Sequence, residues 1–117
     1  MKATLNDYCE IVGEEVIELL VRLARPLSKK KVVHVNSTRT GGGVAEILDR
    51  LIPVMCELGI DATWEVIEGN DDFYQATKGM HNGLQGKAVD IPEKLLRGYE
   101  ETNRQNLENL KDTLSEA

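Results

Sequence analysis

Aromatic side chains are scarce in this 117-residue chain, which has one Trp, one Phe and three Tyr. A core must therefore be mainly aliphatic, and the 41% apolar content is enough to build one. Cysteine is rarer still. Cys9 and Cys56 lie far apart, show no CxxC or Cys/His ligand spacing and fall on apolar helical faces, so both are expected to be reduced core thiols. No apolar run approaches the roughly 20 residues that a membrane span requires. No basic n-region precedes an apolar stretch, which excludes a signal peptide, and a soluble cytoplasmic protein is expected. An excess of positive charge is also lacking. The net charge is -6, which argues against a nucleic-acid-binding surface. The short basic run Lys29-Lys30-Lys31 reads as a solvated loop before a strand.

The length suits one compact α/β domain and not two. Residues 1–27 carry an amphipathic helix, with Leu5, Tyr8, Val12, Val16, Leu20 and Leu23 on one face. Gly13 weakens it and Pro26 stops it. Residues 31–86 read as a βαβα unit. The β-branched run Lys31 to Asn36 suggests a strand buried on both faces. A polar loop follows, and then a helix over Val44 to Leu58, with Pro53 as an expected kink and Gly59 as its C′ residue. Ala62 to Ile67 is the second strand, expected to pair in parallel through a right-handed crossover. Asp71 and Asp72 suit the start of a helix over Phe73 to Leu84, broken up by Gly79 and Gly83. Residues 90–115 form a long last helix. Asp90-Ile91-Pro92-Glu93 has capping-box spacing, and Leu96, Tyr99, Leu107, Leu110 and Leu114 make a stripe that Asn103 interrupts.

Two segments carry candidate chemistry. The first is Asn36-Ser37-Thr38-Arg39-Thr40-Gly41-Gly42-Gly43. A Gly-rich turn between strand and helix lets backbone N–H groups approach an anion, with the helix dipole adding to the attraction. It is not a P-loop, because no GK[ST] follows. Nor is it a dinucleotide fingerprint, since Glu46 stands where Gly or Ala is needed. A tight packing turn explains the same residues equally well. The second segment, Thr77 to Gly86, gathers Lys78, His81, Asn82 and Gln85, groups that hydrogen-bond sugar hydroxyls. Alternatively it is a frayed, solvated helix end. His34 and Trp64, each in an apolar strand, read as core residues. No metal-ligand spacing, bound cofactor or Ser/His/Asp arrangement is expected.

Three segments in register resemble one family. They are Val32 to Thr38 leading into Gly41-Gly42-Gly43-Val44-Ala45-Glu46-Ile47-Leu48, then Trp64 to Gly69, then Thr77-Lys78 with His81 to Gly86. They look like the N-terminal part of the trehalose glycosyltransferring synthases, retaining enzymes of the GT-B fold. The resemblance implies an incomplete Rossmann-like segment, with a short parallel sheet, flanking helices and a long C-terminal helix. It implies nucleoside-diphosphate glucose and glucose as ligands. Gly41, Gly42 and Gly43 would face the donor phosphates or the transferred sugar, and Lys78, His81, Asn82 and Gln85 the acceptor. Members are several times longer, so the donor-binding domain is expected to be missing and the segment to be inactive alone. Two parallel strands also leave both sheet edges open. A homodimer, with the last helix as its seam, is expected on that ground. A non-catalytic sugar- or phosphate-binding module, or a purely structural dimer, stands as the alternative.

Overall fold

The computed structural model describes residues 3–117. They form two compact units. One comprises the described residues up to Val66 together with Thr113–Ala117, and the other comprises Ile67–Asp112.

The first unit opens with α1 (Leu5–Val12) and α2 (Glu14–Ala24). The amphipathic pattern predicts one helix here, and the structure corrects it to two. Gly13 adopts φ 86° and ψ 160°, a conformation open to glycine at no steric cost. Its N–H closes α1 on the Cys9 carbonyl at 2.8 Å. Thr4 and Asp7 make a reciprocal capping box at the start of α1, which the sequence reading did not find. The Thr4 backbone N–H and hydroxyl hold the Asp7 carboxyl below the ordinary carboxylate range.

A single 3₁₀ turn, Arg25–Leu27, leads to β1 (Lys31–Asn36). Then come α3 (Gly43–Glu57) and β2 (Asp61–Val66). The two strands pair in parallel from Lys31↔Asp61 to Asn36↔Val66, and α3 packs against both. The predicted strand–helix–strand order is therefore present. Burial of β1 on both faces is not, because its residues are half-buried and Val35 is exposed. A two-stranded sheet has too little area to sequester both faces. The small core of this unit is Ala24, Ala45, Leu48, Ile60 and Ala62. α3 runs on through Pro53, and Gly59 follows it at φ 87°, as its C′ position demands. Both cysteines are free thiols, but the core assignment fails for Cys56. It is exposed in the last turn of α3, its Sγ directed at the Ala62 carbonyl 3.4 Å away.

Lys31 and Glu116 form an exposed ion pair. The Glu116 hydrogen bond raises the Lys31 pKa, and the same bond lowers that of Glu116. The carboxylate's contribution to stability is present above its unfolded pKa and lost as pH falls through the lowered value. The ammonium's contribution is present below its unfolded pKa and lost as pH rises through the raised value. The pair therefore acts between these limits, and solvent screening keeps it small.

The second unit holds α4 (Asp71–Leu84) and most of α5 (Glu93–Ser115). Asn70 caps α4 by accepting the Phe73 N–H at 3.0 Å, and Asp71 and Asp72 occupy its first turn as expected. Phe73 and Ala76 are buried. The Phe73 ring stacks on Tyr99 at 5.5 Å and meets Tyr74 edge-on at 5.3 Å. Gly79 and Gly83 do not break α4. They make room for the chain returning along it. A Cβ at Gly79 would stand 3.1 Å from Ile91 Cγ1, and one at Gly83 only 2.9 Å from Val89 Cγ2.

One expectation for the last helix fails. α5 begins at Glu93, and the Pro92 carbonyl takes the N–H groups of Leu95 and Leu96. Asp90 is therefore not its cap. Of the leucine stripe, Leu96, Leu107 and Leu114 are exposed, while Thr102 and Asn106 are buried. Asn106 accepts the Glu68 N–H at 2.8 Å and donates to the carbonyls of Glu68 and Thr102 at 2.7 and 2.9 Å. Satisfying both polar groups of the Glu68 peptide outweighs burying another leucine there.

Candidate functional site

The first candidate feature is the loop joining β1 to α3. Gly41 and Gly42 have φ 74° and 85°, in the region where a side chain would be strained. Nothing lies within 4 Å of a Cβ built on Gly41, Gly42 or Gly43, so all three face open space. Gly42 is the N-cap of α3 and provides no side-chain hydrogen bond to the first turn. The result is a long helix that starts on bare N–H groups at the carboxyl end of a parallel strand. Such an end attracts an anion or a polarised oxygen. Glu46 stands in the first turn and opposes that field.

The residues before the glycines are tied down by side chains. Asn36 Nδ2 donates to the Thr38 carbonyl at 2.8 Å, and Asn36 Oδ1 accepts the Trp64 indole N–H at 2.8 Å. Arg39 donates to the Trp64 carbonyl at 2.7 Å, with its guanidinium 4.7 Å from the centre of the indole ring. The core reading of Trp64 misses this arrangement. Trp64 is half-buried and works as a platform for the loop. Its signal was in the sequence only jointly. In the observed register Trp64 pairs with His34, so period-two alternation puts Asn36 on the same face as His34 and Trp64. His34 is half-buried, with Nε2 3.4 Å from the Met55 sulfur.

The second feature belongs to the other unit. Lys78, His81, Asn82 and Gln85 fall at positions i, i+3, i+4 and i+7 of α4 and its C-cap. Helical geometry places them on one face. Lys78, His81 and Gln85 are exposed and Asn82 half-buried. The helix is continuous to Leu84, so these groups belong to a formed surface and not to a frayed end.

A groove of about 950 Å³ runs between the α1–α2 pair and α3. Its lining includes Tyr8, Val12, Val16, Leu20, Ile47 and Leu51, a surface suited to apolar packing and not to a sugar phosphate. Among the described residues, no cluster of three or more His, Cys, Asp or Glu could hold a metal ion. No helix among them is long and apolar enough to cross a membrane.

Residues 34–117 match the family described as "Trehalose synthase, N-terminal domain". The chain is 49% identical over 107 residues to a trehalose synthase of Thermococcus litoralis, covering 91% of this chain and 26% of that protein. A trehalose synthase of Rubrobacter xylanophilus is 37% identical over 109 residues, 93% of this chain and 26% of the relative. Similarity extends to a trehalose phosphorylase of Grifola frondosa, at 34% over 86 residues, 72% of this chain and 12% of the relative. The chain thus spans about a quarter, 26%, of the length of the trehalose synthases it matches.

Proposed function

The chain belongs to the trehalose synthase N-terminal domain family, and from that premise we propose that it is the acceptor-side segment of a retaining glycosyltransferase. The reaction would join glucose from a nucleoside-diphosphate glucose to a second glucose, giving trehalose. One observation carries the reading. The family match over residues 34–117 contains both candidate features whole, the Asn36–Gly43 loop and the Lys78–Gln85 face of α4.

Each feature has chemistry suited to its share of the task. The bare N–H groups at Gly42 and Gly43 answer to the oxygens of the donor diphosphate or of the transferred sugar. The α4 face offers an ammonium, an imidazole and two amides, and these can donate to and accept from glucose hydroxyls. Stabilising a leaving diphosphate takes several preorganised charges. Arg39 is the lone cation of the Ser37–Gly43 loop, so the segment by itself is expected to bind without transferring sugar.

The test is an amide-resolved NMR titration of the segment. UDP-glucose should give saturable shifts at Gly41–Gly43, and glucose should give them at His81–Gln85. A flat response from the folded protein to both ligands, and to trehalose, would overturn the reading and leave a structural module.

We further propose that the segment self-associates. Exposed aliphatic side chains support this, with Ile11 80%, Ile47 62%, Leu23 60% and Val44 59% accessible. Scattered single residues need no explanation, but this density on three helices of one small unit does. Light scattering after size exclusion should give twice the monomer mass, and a monomer at high concentration would refute it. The reading places the segment in the cytoplasm, supported by its two free thiols.

A further inference from the structure

We propose that Asn36 is a positioning residue which, with Trp64 and Arg39, sets the Ser37–Gly43 loop in its phosphate-binding shape before any ligand arrives. The inference rests on the donor-side role proposed for that loop.

Three consecutive glycines carry an entropic cost. An unanchored triglycine samples a wide range of backbone conformations, and binding would have to order it at the expense of affinity. No side chain fills the space that a Cβ would take at any of these glycines. Their order must therefore come from the residues on either side. On the α3 side that is the helix. On the β1 side it is a chain of side-chain bonds running from strand to loop.

Asn36 uses both ends of its amide. The Nδ2 group holds the Thr38 carbonyl at 2.8 Å while Oδ1 holds the indole N–H of Trp64 at 2.8 Å. Thr38 passes the constraint on, as its hydroxyl donates to the Thr40 carbonyl at 2.6 Å and accepts the Thr40 N–H at 3.1 Å. Arg39, between them, is fixed to β2 through the Trp64 carbonyl at 2.7 Å and the indole face at 4.7 Å. Every residue from Thr38 to Thr40 is thereby referred to a strand. The glycines then hang from a rigid frame. The Asn36 amide meets both demands of the site, a donor toward Thr38 and an acceptor toward Trp64.

That two-sidedness supplies the experiment. Asn36→Asp has nearly the same shape and keeps the acceptor for the indole, but it turns an oxygen toward the Thr38 carbonyl. Trp64→Phe does the converse, removing the indole N–H while leaving the Asn36–Thr38 bond. Three quantities are read for each variant: the thermal melt, ¹⁵N relaxation at Gly41–Gly43, and UDP-glucose affinity. For Asn36→Asp the expected result is a near wild-type melt, increased mobility at the three glycine amides, and affinity weaker by at least roughly fivefold to tenfold, because the new carboxylate's repulsion of the diphosphate adds to the lost hydrogen bond. Trp64→Phe should loosen the loop less. Glycine amides as ordered in Asn36→Asp as in wild type would overturn the inference. Should the wild-type protein show no response to UDP-glucose, the donor-side reading fails instead. The relaxation data still decide whether Asn36 shapes the loop.

Discussion

Replacing Phe73 with alanine is expected to lower the stability of the second unit by about 3–5 kcal/mol, the range for truncating a buried aromatic. Phe73 is 3% exposed and is the only Phe in the chain. Its ring stacks on Tyr99 of α5 and meets Tyr74 of α4. The preceding turn closes over it so tightly that a Cβ at Gly69 would lie 2.6 Å from Phe73 Cδ1. Few other apolar groups are available to refill the space, since Ala76 is the other buried hydrophobic residue of α4. Urea denaturation followed by circular dichroism measures the loss, and Phe73→Leu should recover much of it. A loss below about 1 kcal/mol, as is usual at surface positions, would mean that the buried ring does not anchor the unit. Because α4 also carries Lys78, His81, Asn82 and Gln85, partial unfolding of this unit should abolish glucose shifts there. Glycine shifts at the β1–α3 loop, which belongs to the other unit, should persist.

Asn106→Leu is expected to cost about 1–3 kcal/mol, although the substitution is nearly isosteric and adds apolar surface. Asn106 is 7% exposed and makes three hydrogen bonds, two of them with the Glu68 peptide. Leucine removes all three and leaves the Glu68 N–H and carbonyl without their partners. Glu68 itself is exposed, so water takes up part of the deficit, which is why the estimate stays at the lower end for two orphaned groups. Asn106→Asp keeps the bond from the Glu68 N–H but turns a carboxylate oxygen toward the Glu68 and Thr102 carbonyls at a buried position, so it should be at least as destabilised as Asn106→Leu. A leucine variant as stable as wild type would show that helix α5 gains nothing from its buried polar position.

Local chemistry made much of this chain legible in advance. The β-branched run 31–36 and the stretch near 62–67 gave the two strands within one residue of their observed bounds. Gly59 marked the end of α3, and the acidic pair marked the start of α4, which begins at Asp71, two residues before the expected Phe73. The segments from Val32 to Leu48, Trp64 to Gly69 and Thr77 to Gly86 pointed to the family now matched over residues 34–117. Each of these signals is carried by a short window and owes little to distant residues.

The corrections share the opposite property. Whether Gly13 weakens a helix or splits it depends on the angle at which α1 and α2 leave that residue. Whether Gly79 and Gly83 break a helix or make room for one depends on Val89 and Ile91, which only the returning chain brings near. Periodicity marked a leucine stripe on α5, while the backbone N–H and carbonyl of Glu68 selected Asn106 for burial. The same holds at the loop. Residue types and spacing identified a Gly-rich turn at the end of a strand. They left open whether it was an anion site or a packing turn, because the ties from Asn36 and Arg39 to Trp64 cross from one strand to its neighbour. Sequence alone therefore determined both strands, the helices α3 to α5, their order and the kinship, all set by interactions within a few residues. Tertiary structure decided which polar groups are buried and what holds the glycines, because those depend on partners 25 to 38 positions apart along the chain.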